Sequence, residues 1–354
     1  MRQADVPSLE RARLALDPPR VVEPPAGSAR WRVQAEDFEV VEELGFTPSG
    51  AGEHVLLTVR KRGANTAWVA RELARLGGVR VHDVGYAGLK DRHALTTQAF
   101  TVPARRRPAS EWLSVRGEGF EVLEACAHAR KLPRGALRGN RFRLVLRDFV
   151  GDRSALEARV ARLAREGAPN YFGPQRFGRS LANLDASAPP RFAYSAARSL
   201  IFNAVLATRI ARGDWLRLHV GERANLDGSN ASFRIEALDD TLATRLAALD
   251  IHPTGPMWGE GDSGIEGEIA TLEAAVASAH PELCARLREE GLAPLRRPLR
   301  VAVRELTLRW LDSQDATSGA SCELSFSLRA GSFASAVVRE LVATADASAE
   351  DDDA

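Results

Sequence analysis

The sequence predicts an α+β protein, and three observations support this class. Apolar and β-branched residues cluster or alternate as in strands near both ends of the chain, at 31–43, 54–61, 139–147 and 323–328. Helical periodicity dominates the middle, at 152–166, 198–212 and 266–290. At 354 residues the chain is long enough for two domains. We therefore expect strand-rich ends around a helix-rich middle.

Shorter patterns give the remaining elements. Before the middle region we expect a short helix near Leu9 to Leu16, a helix from a Thr66 cap to Leu76, and a helix beginning at Ser110. Within and after it we expect a strand at Leu216 to Val220, a loop at Pro253 to Gly259, strands at 301–303 and 306–311, and a helix from a Ser332 cap to Leu341.

The composition argues against several classes of protein. No apolar run is long enough to span a membrane, and the first thirty residues lack the continuous apolar segment of a secretory signal. Cys126, Cys284 and Cys322 are odd in number and widely spaced, which suits neither a disulfide framework nor a zinc site. We expect a reducing cytoplasm and no bound metal.

Charge is unevenly distributed although the formal net charge is only +1. Residues 101–147 contain eleven Lys or Arg against four Glu and no Asp, and an acidic run at 350–353 offsets them in the total. A basic face of this kind is compatible with a groove for phosphates, and equally with an ordinary solvated face. Alternation in 139–147 predicts a strand with Phe142 and Leu144 on one face and Arg141, Arg143 and Arg147 on the other.

Residues 85–98 contain the candidate catalytic residue and its charged neighbours. Gly85, Ala87 and Gly88 leave little side chain in the way of a ligand. Lys90 and Arg92 flank Asp91, and if their charged groups lie near it they hold the carboxylate ionised. An ionised and positioned Asp can act as a nucleophile or as a base. A Lys-Asp pair alone is more often part of a surface turn.

The complete stretch resembles the signature of the TruD family of tRNA pseudouridine synthases, Gly-x-Lys-Asp-x-x-Ala-x-Thr-x-Gln. Its fixed places are filled by Gly88, Lys90, Asp91, Ala94, Thr96 and Gln98. The resemblance extends from about residue 31 to 341, in the same order as in the family, through the elements around Glu36 to Glu42, Gly139 to Phe142, Asn170 to Gly178, Arg198 to Asn203, and Leu328 to Glu340.

The resemblance implies a pseudouridine synthase core with a mixed, mostly antiparallel sheet, interrupted by an inserted α/β (TRUD) domain, with RNA between the two. On this basis residues 1–165 are the first part of the catalytic domain, 166–312 the inserted domain and 313–345 the last part of the catalytic domain. Residues 346–354 form an acidic tail that we expect to be disordered.

The resemblance also implies roles for single residues. Asp91 is the catalytic carboxylate with Lys90 beside it, and four residues bind the target nucleotide: Phe38, Asn140, Phe142 and Phe333. We expect contacts with RNA from Arg92, Arg141, Arg143, Gln175 and Arg176. Alternatives remain for several of these residues: Phe38 as core, Asn140 as a turn residue, and 169–178 as a domain hinge packed on its own aromatic rings.

The implied activity is isomerisation of uridine to pseudouridine, at uridine 13 in the D arm of tRNA. The expected partner is tRNA, the expected state is a monomer, and no cofactor is expected. One rival is a glycosidase or hydrolase, which would need a second carboxylate such as Glu36, Glu42 or Glu43 as general acid. The other rival is a non-catalytic RNA-binding protein, which would tolerate Asp91→Asn.

Overall fold

The computed structural model describes residues 6–105, 107–185, 188–312 and 319–346. In these residues the helices are α1 (Val6–Leu16), α2 (Thr66–Gly77), α3 (Arg153–Glu166), α4 (Pro190–Ala211), α5 (Asp240–Ala247), α6 (Gly267–Ser278), α7 (Pro281–Glu289) and α8 (Ala334–Leu341). The strands are β1 (Gly27–Trp31), β2 (Phe38–Glu43), β3 (His54–Arg62), β4 (Gly85–Tyr86), β5 (Leu95–Pro103), β6 (Arg116–Gly117), β7 (Phe120–His128), β8 (Gly139–Gly151), β9 (Ala168–Pro169), β10 (Arg223–Leu226), β11 (Ser232–Arg234), β12 (Ile251–Met257), β13 (Leu295–Pro298), β14 (Arg300–Val301), β15 (Arg304–Leu311), β16 (Ala320–Arg329) and β17 (Ala343–Asp346).

The described chain divides into two compact units. The sheet unit contains residues 26–161, 303–334 and 341–346, and the helical unit contains 6–25, 162–302 and 335–340. The first 25 residues therefore cluster with the middle of the chain, whereas the sequence division placed them with the first part of the catalytic domain. The functional labels of these domains, catalytic and inserted, stay predictions.

The sheet unit is built on an 11-stranded sheet with the order β15-β16-β8-β2-β5-β3-β7-β6, to which β1, β17 and β4 add at the sides. All its pairings are antiparallel except β2 with β5 and β1 with β17. The predicted mixed, mostly antiparallel sheet is confirmed. Asp346, which the sequence assigned to a disordered tail, pairs with Trp31 at the end of β17; the rest of that tail lies outside the described residues.

Helix α2 packs on the sheet, where it contacts alternate residues of β3. Val55, Leu57 and Val59 are buried with Val69 and Leu73 of the helix in one cluster. The helix is capped by Asn65, whose side chain accepts a hydrogen bond from the Trp68 N–H at 2.8 Å. The predicted cap at Thr66 is therefore wrong by one residue. The Thr66 side chain instead forms hydrogen bonds with Gln98 and with the loop that carries Asp91.

The helical unit is organised around α4. Its buried residues, including Leu200, Phe202 and Leu206, form one cluster with Leu14 of α1 and Leu287 of α7. A 4-stranded sheet with the order β11-β10-β12-β13 belongs to the same unit. Among the helices of the described chain, none has the length and apolar character needed to cross a bilayer.

Three predicted elements are corrected by the structure. After Ser110 there is only a 3-10 turn at Ala109–Glu111. Residues 216–220 contain turns and no strand, because side chains form hydrogen bonds with their backbone groups. Arg209 donates to the Arg217 carbonyl, and the His219 N–H donates to the Glu222 carboxylate.

The predicted loop at 253–259 is largely strand β12. Its first part pairs only with β10 and its second part only with β13. Pro256 is tolerated because it has a partner strand on one side alone. Pro253 has neighbours on both sides, since it pairs with Ala224 of β10 and its carbonyl accepts from the Leu299 N–H at 2.8 Å.

Candidate active site

Asp91 lies on the loop between β4 and β5, where its side chain is 32% exposed. One carboxylate oxygen, Oδ1, accepts a hydrogen bond from the His93 N–H at 3.1 Å. The other, Oδ2, lies 3.3 Å from Nη1 of Arg32. An arginine is charged at every physiological pH, so a permanent cation lies beside this carboxylate oxygen.

Arg32 is the residue that the sequence analysis missed. It follows β1 with a left-handed backbone, φ 56°, and its side chain is only 12% exposed. Its guanidinium carbon lies 4.4 Å from the ring centre of Trp31 and 4.3 Å from that of Phe38. Packing on two aromatic faces fixes the direction in which its donors point. No local pattern could reveal this, because the pairing with Asp91 depends on the fold of the sheet.

Lys90 does not contact Asp91. Its ammonium lies 2.8 Å from Oε1 of Glu42, and the two side chains are only 7% and 1% exposed. The second oxygen of Glu42 accepts a hydrogen bond from the Ala99 N–H at 3.0 Å. Arg92 instead donates to the Gly63 carbonyl at 3.2 Å. The expectation that Lys90 and Arg92 hold Asp91 ionised is therefore wrong, and Arg32 is the cation beside it.

A second missed residue, Lys61, holds the backbone of the loop. Its side chain is buried, and its ammonium donates to the carbonyls of Asp91 and Ala64 at 2.8 Å each and to that of Lys90 at 3.4 Å. Burial lowers the pKa of Lys61 to about 8, an effect that Asp91 opposes and Lys90 adds to. The sequence does hold a signal for this residue, since Lys61 continues the buried period of Val59 in β3.

Gln98 and Thr66 fix the other side of the loop. The Gln98 amide donates to the Gly88 carbonyl at 2.6 Å, and its Oε1 accepts from the Thr66 hydroxyl at 3.0 Å. The Thr66 oxygen in turn accepts from the Lys90 N–H at 3.0 Å. This chain of hydrogen bonds explains why a Gln at position 98 suits the signature, a role that the sequence pattern itself did not reveal.

One face of the sheet presents the predicted nucleotide-binding residues together. Glu42 of β2 lies opposite Asn140 of β8, and Phe142 lies two positions along from Asn140 on the same face. The Phe142 ring stacks with Phe38 at 6.2 Å. The Oδ1 of Asn140 is buried with no hydrogen-bond partner in the described part of the chain. A buried amide oxygen without a partner is costly, so a ligand donor at this position would be favoured.

The aromatic candidates differ in exposure. Phe38 and Phe142 are each 5% exposed, and the far side of Phe142 stacks on Phe326 at 5.4 Å. Phe333 is 45% exposed and lies shortly after Leu328, which pairs with Asn140. Phe333 is therefore the candidate ring with the largest free surface.

The predicted RNA-binding residues of β8 lie on the opposite face of the sheet from Asn140. Arg143 is 2.7 Å from Glu323 and 3.7 Å from Glu39, so two carboxylates already balance its charge. Arg141 is exposed on that same face.

The last two predicted RNA-binding residues, Gln175 and Arg176, belong to the helical unit and are exposed. The Arg176 guanidinium donates to the Ser195 hydroxyl at 2.8 Å and lies 5.1 Å from the ring centre of Phe172. This packing on a local aromatic ring fits the hinge alternative, and it leaves RNA contact open as a prediction.

At the centre of this arrangement lies the partly exposed carboxylate of Asp91. Glu42 is buried in its ion pair, and Glu36 is held by Arg62, whose hydrogen bond lowers the pKa of that carboxyl. Neither is suited to serve as the general acid of a glycosidase. In the parts of the chain that the structure describes, no group of three or more His, Cys, Asp or Glu could hold a metal ion. Fold and site together define a carboxylate-centred α+β enzyme.

Comparisons with known proteins give the family. The profile of tRNA pseudouridine synthase D (TruD) matches residues 21–185 and 191–341. A relative from Nitrosococcus oceani called tRNA pseudouridine synthase D is 44% identical over 339 residues, which are 92% of this chain and 93% of the relative. A relative of the same name from Methylococcus capsulatus is 45% identical over 326 residues, 88% of this chain and 90% of the relative.

A solved structure agrees in fold. The crystal structure of a putative tRNA pseudouridine synthase D from Methanosarcina mazei matches with a TM-score of 0.74 and 20% identity, covering 97% of this chain and 98% of the other. The chain therefore belongs to the tRNA pseudouridine synthase D family, and this membership makes it an isomerase of the pseudouridine synthase class.

Proposed function

We propose that the protein isomerises uridine to pseudouridine in tRNA, with uridine 13 of the D arm as the target and Asp91 as the reacting carboxylate. The names of the relatives support tRNA as the substrate. The observation that carries the proposal is the geometry of Asp91, a partly exposed carboxylate held by Arg32 on one oxygen and by a backbone N–H on the other.

The reaction is an isomerisation, so the composition of the substrate does not change. It needs one carboxylate. The N-glycosidic bond between N1 of uracil and the ribose breaks, the base rotates, and the ribose carbon is joined to carbon 5. Carbon 5 loses its proton to solvent and N1 gains one. Asp91 serves as nucleophile or base in this sequence. Arg32 stabilises the charge on Asp91, and Lys61, Gln98 and Thr66 hold the loop so that the carboxylate is positioned before the substrate arrives.

The target base would bind over the face of β2 and β8. Its N3–H would donate to Oδ1 of Asn140, which has no partner in the described residues. Leaving the RNA stack costs the base a few kcal/mol, and stacking on the exposed ring of Phe333 would return about 1–3 kcal/mol. Phe38 and Phe142, buried against each other, would form the wall behind the base.

Lys90 would act through Glu42. The buried pair links the loop to the end of β2 beside Asn140, so Lys90 would align the two parts of the site without touching the substrate. In the same proposal the helical unit is the inserted TRUD domain, and Arg92, Arg141, Arg143, Gln175 and Arg176 contact RNA. The protein would act as a monomer in the cytoplasm, where tRNA is found.

The test uses unmodified tRNA that carries tritium at carbon 5 of uracil, because joining the ribose to that carbon releases the tritium to water. We expect release by the wild type, none by Asp91→Asn, and release at the wild-type rate by Asp83→Asn. Asp83 is a matched control because it is another partly exposed carboxylate, 40% exposed, in the segment that precedes the motif. A tRNA with cytidine at position 13 should give no release.

Near-normal release by Asp91→Asn would overturn the catalytic assignment. Release from the cytidine-13 tRNA would overturn the proposed position while leaving the reaction intact. RNA binding without release by the wild type would favour the non-catalytic RNA-binding alternative.

A further inference from the structure

A long stretch of the sheet unit without Asp or Glu includes a segment that packs beside the Asp91 loop. Residues 125–147 contain no Asp or Glu. In the middle of this stretch, the connection between β7 and β8 carries four exposed cations: Arg130, Lys131, Arg134 and Arg138. We call residues 129–138 the basic loop. None of its residues belongs to the motifs on which the family resemblance rests.

The basic loop is firmly attached to the active site. Leu132 is 2% exposed and packs with Ala87 in one cluster. The Gly135 N–H donates to the Ala87 carbonyl at 2.7 Å, and the Arg138 N–H donates to the Glu43 carbonyl at 2.8 Å. The Arg138 carbonyl accepts from the Ala330 N–H at 3.2 Å. The loop is thus tied to the segment before Asp91, to the end of β2 and to the segment before Phe333.

The charges of the basic loop are not balanced by carboxylates. Lys131 donates to the His82 carbonyl, and the guanidinium carbon of Arg134 lies 3.5 Å from the ring centre of Tyr86. In the described ranges none of the four cations forms an ion pair with Asp or Glu. By contrast, Arg143 and Arg147 on the neighbouring strand are each paired with carboxylates.

We propose that the basic loop binds the phosphates of the RNA strand on either side of the target uridine. The inference rests on the proposed function. Several unbalanced cations on one rigid loop provide a strong site for a chain of phosphates. Arg134 is especially suited, because it is exposed and its planar guanidinium is held by stacking on Tyr86. The loop, and not the two paired arginines of β8, then supplies the main electrostatic attraction beside Asp91.

The experiment compares two triple variants of the full-length protein that lose the same net charge. The loop variant is Arg130→Gln, Lys131→Gln and Arg134→Gln. The control variant is Arg60→Gln, Arg75→Gln and Arg309→Gln, three arginines of the sheet unit that are 47%, 68% and 67% exposed and paired with glutamates. Dissociation constants for unmodified tRNA are measured from 50 to 200 mM salt, together with tritium release at saturating tRNA.

Each phosphate contact contributes about 0.7 to 0.9 to the slope of log affinity against log salt. The loop variant should therefore lose about 2 to 3 from the wild-type slope, whereas the control variant should lose less than about 1. KM should rise in the loop variant, and kcat at saturating tRNA should stay within about twofold of the wild type, because no group at Asp91 is altered.

Equal slopes for the two triple variants would overturn the inference while wild-type tritium release leaves the proposed reaction standing. A reduced slope in the loop variant, with no tritium release by the wild type, would support the RNA surface and overturn the reaction instead. Near-ultraviolet circular dichroism of both variants identifies any loss of slope that arises from unfolding, and single substitutions at Arg130 and Arg134 then replace a misfolded triple variant.

Discussion

Because the ion pair of Lys90 and Glu42 is buried, the structure predicts how much stability is lost when one of its members is removed. The two side chains are 7% and 1% exposed and their charged atoms lie 2.8 Å apart. Replacing Lys90 by Met leaves the Glu42 carboxylate buried with one backbone N–H as its partner. Removal of one member of a buried pair costs about 3–5 kcal/mol, so we expect Lys90→Met to lower the free energy of unfolding by that amount.

The double variant Glu42→Gln with Lys90→Met should recover most of this loss. The Gln side chain can still accept from the Ala99 N–H, and it brings no charge into the interior. The coupling between the two substitutions should then be at least about 2 kcal/mol. Arg75→Met is the matched control, since Arg75 and Glu72 form an exposed pair that is worth less than about 1 kcal/mol.

The assay is urea unfolding of the wild type, both single variants, the double variant and the control, with tritium release measured on each. Turnover that returns in the double variant would assign Lys90 a structural role through Glu42. Turnover that stays lost in a stable double variant would assign it a role in the chemistry. The reasoning about burial would be refuted if Lys90→Met were as stable as the wild type, or if the two single effects simply added.

Three further predictions concern charged groups of the two units. Arg32→Met should lower single-turnover tritium release by about a hundredfold or more, with Arg32→Lys partly active, because the charge 3.3 Å from Asp91 is lost; equal rates for Met and Lys would contradict this. Burial lowers the pKa of Lys61 from 10.5 to about 8, so between these pH values the unfolded chain binds the proton that the folded chain has lost. Urea unfolding should show the wild type gaining stability relative to Lys61→Met over this window, by up to ~3 kcal/mol, and a constant difference would count against it. Burial raises the pKa of Glu222 from 4.5 to about 7, although Arg209 opposes the rise. The folded chain then binds the proton more tightly, so the wild type should lose stability relative to Glu222→Gln as the pH rises from 4.5 to 7, which thermal unfolding at pH 5 and pH 7.5 would test.

Local patterns were sufficient for several of the longer strands, β3, β8 and β16 among them, and they indicated Asp91 as the catalytic candidate, a role that stays a prediction. The alternation in β8 and the apolar period of α2 each reflect burial along a single element, and burial is what such patterns record. Asp91 was identified because its neighbours in sequence form a dense and unusual motif. The errors at Thr66 and at 253–259 arose where a competing hydrogen bond or one-sided strand pairing decided the outcome.

The partners of Asp91 could not be predicted in the same way. The sequence places Lys90 and Arg92 next to Asp91, but adjacent side chains on a loop point in different directions, and both reach other acceptors. Arg32 reaches Asp91 only because β1 pairs with β8, and β8 with β2, so that Trp31 and Phe38 come together around its guanidinium. Such a contact is a property of the assembled sheet.

The order of strands in the sheet unit has a consequence for synthesis on the ribosome. Strand β16 lies between β15 and β8, and β17 pairs with β1, although β16 and β17 are the last strands to be translated. Residues 162–302 of the helical unit emerge before them, so that unit can begin to fold while the sheet still lacks its neighbours. A chain released early, before Phe326 has been added, lacks one of the two rings that stack on Phe142. The face that carries Asn140 and Phe142 is therefore completed only when β16, a late strand of the described chain, has been added.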